Sequence, residues 1–152
     1  MGTRPMSVLR TIVRDERGDV EDIPGLAIVL IGILCPLIAV GIFMGRYGLA
    51  DNTVQSAAAA AARDASLSGS ATDAVPHAKA AAELALSGNV NCQSLNLVIG
   101  GDGLHTALGQ TGTVTATITC QIATADLAFP LIPGSLTITE TAASPVDPYR
   151  QR

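Results

Sequence analysis

From Ile23 to Gly45 the chain runs for 23 residues without a charged side chain, between Asp22 on one side and Arg46 on the other. As an α-helix rising 1.5 Å per residue, that run spans about 34 Å, enough to cross a hydrocarbon core of ~30 Å. The rest of the 152 residues leaves room for one domain beside such a span. Charged residues make up 14% of the chain and aromatics 3%, with no Trp. Soluble domains carry roughly 25% charge, so this composition suits a membrane helix plus a small core filled by Ala, Val, Leu and Ile.

The charges flanking the run set an expected orientation. Arg4, Arg10, Arg14 and Arg17 precede it and Arg46 stands alone just beyond it. The positive-inside rule then places residues 1–22 in the cytoplasm as a leader and the chain after the span outside. The run is longer than the 7–15 residues of a secretory signal core and no A-x-A site closes it, so an uncleaved single-pass anchor over 23–45 is the expectation. Pro24 falls at the start of the helix, where its missing N–H costs nothing, and Pro36 falls mid-span, where it frees a carbonyl or kinks the helix. Cys35 reads as a small apolar residue in lipid.

The helix is expected to continue past the membrane. Residues 46–68 hold eight Ala and no Pro, which favours a helical stalk. Leu49, Thr53, Ser56 and Ala60 share one i, i+3/i+4 stripe of that stalk. "LSGSATD" (67–73) breaks it, and a second helix is read from Pro76 to Ser87, with Pro in the first turn and Gly88 as the stop. Three β-rich segments follow at 90–99, 113–122 and 135–142, with "GGDG" (100–103) as the turn between the first two. The middle one alternates strictly: Val114, Ala116, Ile118, Cys120 and Ile122 on one face, Thr113, Thr115, Thr117, Thr119 and Gln121 on the other. This order predicts an α+β fold: a long N-terminal transmembrane helix continuing into an Ala-rich stalk, a second short helix, and a small three-stranded antiparallel sheet with helices on one face. Residues 69–152 form the expected extracytoplasmic domain.

Cys92 and Cys120 lie in different expected strands outside the membrane, where disulfides persist, and are expected to pair. The bridge would close a loop of about 29 residues and contribute ~3.5 kcal/mol on the loop-entropy account. The sequence offers little for catalysis. His77 and His105, the two histidines, have no ligand or catalytic partner nearby in sequence, and Asp102 alone is too few oxygens for calcium. Neither a phosphate loop nor a nucleophile–base pair can be assembled. No enzyme activity and no cofactor are expected, and without a basic patch beyond the anchor nucleic acid is not an expected partner.

Two stretches carry a family resemblance. "RDERGDVEDIPGLAIVLIGILCPLIAVGIFMGRYGLADNTVQSAAAAAARDAS" (14–66) combines a basic leader ending in Arg-Gly, an acidic residue, an apolar span and an Ala-rich helix ending in Ala-Ala-Arg-x-Ala. "GSLTITETAASPVDPYR" (134–150) supplies a closing strand and a Pro-Val-x-x-Tyr-Arg ending. Together they cover about half of the chain, and in this order they resemble the TadE-like pseudopilins of the tight-adherence (Tad, or Flp) pilus system. The resemblance implies a pilin-like minor pseudopilin or assembly factor in the cell envelope. Its implied partners are the lipid bilayer, the pilus assembly platform, other pilins or pseudopilins, and a prepilin peptidase.

By position, the resemblance puts the peptidase cut after Gly18, with Asp19 as the first mature residue. The family's glutamate five residues after the cut corresponds to Ile23, and the nearest carboxylates are Glu21 and Asp22. Two roles stand open for them: neutralising a neighbouring subunit's amino terminus at the rim of a helix bundle, or stabilising the macrodipole of their own helix. Two other classes also remain open: a membrane-anchored binding module, with the Thr-rich sheet face or the 100–112 loop as its surface, and an accessory subunit of a secretion complex that never enters a filament.

Overall fold

The computed structural model describes residues 23–107, 109–127 and 133–149, and the chain forms two compact units, Met1–Val40 and Gly41–Arg152. The described part of the first unit is helical, the opening of α1 (Ile23–Leu67). The helix continues unbroken through Pro36. Leu30, Ile31, Leu34, Leu37 and Ile38 are all exposed, and the most apolar stretch buries none of its residues. It is long and apolar enough to cross a membrane.

The second unit has the expected α+β layout. After α1 come α2 (Ala71–Leu86), β1 (Cys92–Gly101), β2 (Gly112–Ala123), a 3-10 turn (Thr124–Leu127) and β3 (Ser135–Val146). The strands form an antiparallel meander in the order β1-β2-β3. The strict alternation of β2 predicts its faces correctly. Val114, Ala116, Ile118, Cys120 and Ile122 are buried, and the Thr positions between them are exposed or half-buried.

The start of the second helix needs correction, and the structure defines the packed face of α1. Of the stripe Leu49–Thr53–Ser56–Ala60, Leu49 and Ser56 are exposed and Thr53 and Ala60 half-buried. The packed face is Ala50, Val54, Ala57, Ala58, Ala61, Ala62 and Ala65, an uninterrupted i, i+3/i+4 series joined to the core of the sheet. Small residues win because they let the helix approach the sheet closely. The polar members of the other stripe are satisfied within α1: the Thr53 hydroxyl donates to the Leu49 carbonyl at 2.8 Å and Ser56 to Asn52 at 2.8 Å. The Ala-rich continuation of the apolar helix over residues 46–67 thus lines the domain's core.

The second helix starts five residues before Pro76. Ser70 caps it, its hydroxyl oxygen accepting from the Asp73 N–H at 3.2 Å and donating to the Asp73 carboxylate at 2.7 Å. This cap satisfies one of the free N–H groups of the first turn, so the helix starts at Ser70 and carries the proline inside it. At the other end Gly88 takes φ +80° and the Val90 N–H returns to the Leu86 carbonyl at 3.2 Å, the expected glycine stop. Ala74, Ala78, Ala82 and Leu86 form its buried line.

The sheet edges differ from their expected limits in informative ways. Gly100 and Gly101 belong to β1, and the connection to β2 runs from Asp102 to Thr111. It is closed by the Asp102 carboxylate accepting from the Thr113 N–H at 3.0 Å and by Gly103 N–H to the Thr113 carbonyl at 2.9 Å. A Cβ at Gly112 would stand 2.6 Å from the Gly103 Cα, so that close approach requires glycine. β3 continues to Val146 because Pro145 sits in an edge strand, where its missing donor is tolerated.

Candidate functional site

The residues that carried site expectations fall into three places. Gly18, Asp19, Glu21 and Asp22, the implied processing junction, lie outside the described residues. Cys92 and Cys120 are joined by a disulfide with their Cα atoms 5.4 Å apart. A register shift between Cys92 and Ser94 makes the pairing work. It sets Cys92 opposite Ile122, on the inward face shared with Leu95 and Leu97, where unshifted alternation would have put Gln93 there. Cys120 is fully buried, so the bridge pins the edge strand β1 to the central strand from inside the core. Cys35 is a free, exposed cysteine of the apolar helix.

His77 and His105 are exposed on different elements, and the Asp102 carboxylate is engaged in closing its turn. Among the described residues no three His, Cys, Asp or Glu side chains come together as a metal-binding group.

The outward face of the sheet is a ladder of hydroxyls. Thr117 and Thr141 are linked at 2.9 Å, and Thr139 donates to Thr119 at 3.3 Å across the β2–β3 pair. The described side chains pointing to this side from β2 and β3 carry no charge, because the one acidic residue of β3, Glu140, sits opposite Ile118 on the inward face.

Sequence reasoning missed a recess of about 220 Å³ within the second unit. Ala50, Val90, Ile122 and Leu127 give it an apolar floor, and Arg46, Asn89, Asn91 and Asp126 bring polar groups to it. Four pieces of chain assemble it: α1, the turn after α2 that Gly88 makes, the end of β2, and the 3-10 turn that follows. The Arg46 guanidinium donates to the Asp126 main-chain carbonyl at 3.2 Å across 80 positions of sequence. The Asp126 carboxylate forms no ion pair with it; among the described residues the ion pair lies on α2, Lys79–Glu83 at 3.8 Å. At the far end of the domain, Ser66 and Ser144 hydroxyls meet at 3.0 Å, so α1 runs alongside β3 in the same direction. The one sequence signal for the recess was Arg46 itself, the first charge after the apolar run; nothing local marks Asn89, Asn91 or Asp126 as its neighbours.

Compared with protein-family models, curated proteins and solved structures, the chain matches none of them.

Proposed function

We infer that the protein is a single-pass envelope protein without catalytic activity, a TadE-like minor pseudopilin or assembly factor of a Tad/Flp pilus. Its apolar helix holds the subunit in the bilayer and offers a lateral surface to neighbouring helices, and its disulfide-braced domain supports pilus biogenesis or adhesion outside. The observation carrying this reading is α1 itself. One helix, Ile23–Leu67, is an exposed apolar span in its first half and the Ala-lined wall of an α+β core in its second. Such an element anchors and displays a domain without supplying any reactive group. Adjacent to it, the leader of residues 14–22 holds the Arg-Gly-acidic sequence that supports a processing junction at Gly18.

Intact-mass spectrometry of the protein purified from its own envelope tests the reading. Loss of residues 1–18 supports a processed pseudopilin. An intact N-terminus together with no co-purifying pilus ATPase platform would contradict it and favour an anchored module or secretion-complex subunit.

A further inference from the structure

We propose that the recess at Arg46 and Asp126 holds the headgroup of a phosphatidylethanolamine-class lipid, the phosphate on Arg46 and the primary ammonium on Asp126. This inference rests on residues 23–45 being a membrane span. Arg46 follows Gly45 directly, so it is the first charged group beyond the apolar run and stands at the level where headgroups begin. Arg46 also lines the recess, so a headgroup at that level is within its reach.

Its chemistry selects the ligand. A cation and an anion line one cavity without neutralising each other. Arg46 spends one N–H on the main-chain oxygen of Asp126, which fixes the guanidinium in place and leaves its other donors for a phosphate. The Asp126 carboxylate remains an acceptor. An anionic headgroup would meet Asp126 unfavourably, whereas a zwitterion with its ammonium two carbons from its phosphate satisfies both charges. Phosphatidylcholine has the same charges but no N–H to donate, so it forgoes the hydrogen bond to Asp126. Asn89 and Asn91 line the same recess, and its apolar floor suits the glycerol end. At about 220 Å³ the recess is smaller than the ~300–1,000 Å³ of small-molecule pockets, which fits a headgroup and leaves the acyl chains in the bilayer.

The test uses the full chain reconstituted into vesicles of mixed phosphatidylethanolamine, phosphatidylcholine and phosphatidylglycerol. Vesicle flotation after an alkaline wash comes first, followed by native mass spectrometry of the lipid retained on the protein. The expected result is co-flotation and enrichment of phosphatidylethanolamine over phosphatidylcholine by about tenfold or more, the scale of one charge-assisted hydrogen bond. R46Q should abolish the enrichment, and D126N should shift it toward phosphatidylglycerol. Both side chains are exposed, so neither variant should disturb the fold, which retention of the Cys92–Cys120 bridge checks. Excess soluble glycerophosphoethanolamine that strips the bound lipid would identify a free headgroup as the ligand and overturn the lipid assignment. Co-flotation without enrichment, or enrichment unchanged in both variants, overturns this inference alone. Failure to co-float overturns the membrane span and this inference with it.

Discussion

Ala59 and Ala61 stand two positions apart on α1, about 200° around the helix, and only the second is buried. The pair isolates the claim that close approach, not propensity, fixes this helix face. A61L should destabilise the domain by about 1–3 kcal/mol through overpacking, while A59L should change stability by less than ~0.5 kcal/mol. Thermal unfolding in detergent, followed by circular dichroism, measures both. Equal effects would mean that the packed face has been misplaced. Cys92 and Cys120 offer a second comparison. C92A/C120A should lower stability by about 2–5 kcal/mol, and reductant should move the parent protein in the same direction and leave the double variant unmoved. C35A, outside the bridge, should behave as the parent does. At this scale β2 was legible because burial on one face of a strand writes a period of two into the sequence. The packed face of α1 was less legible, because a row of alanines reads as helix propensity until the sheet against which it packs is known. Arg46, Asn89, Asn91 and Asp126 were not legible as neighbours, because only the tertiary fold brings them to one recess.

Elements carry their own tests. The start of α2 depends on Ser70, whose removal in S70A should cost about 1 kcal/mol, and its end depends on Gly88, where G88A should cost ~1–2 kcal/mol for placing a Cβ at φ +80°. Chemical denaturation reads both, and P76A should be neutral or stabilising because that proline removes a donor inside the helix. A large loss in P76A would contradict the Ser70 cap as the helix start. The number, type and order of elements were readable from Ala content, glycine stops and strand alternation. The limits were less so. Ser70-x-x-Asp73 competed with Pro76 as a start signal, and the sequence does not announce that a serine cap outweighs a proline at the sixth position. Likewise, the shift beside Cys92 depends on the disulfide partner across the sheet, a contact that no local pattern encodes.

For the molecule as a whole, one helix serves two environments, and the account stands on its first half lying in lipid with the domain on the side away from the arginine-rich leader. Lys79 makes that directly measurable. It is the sole lysine of the chain, it lies on the exposed side of α2, and its side chain is 62% accessible. A membrane-impermeant amine reagent applied to sealed, right-side-out membrane vesicles, followed by peptide mass spectrometry, reports which side it occupies. The account predicts modification of Lys79 in sealed vesicles without detergent. Modification of Lys79 only after the membrane is permeabilised would contradict it.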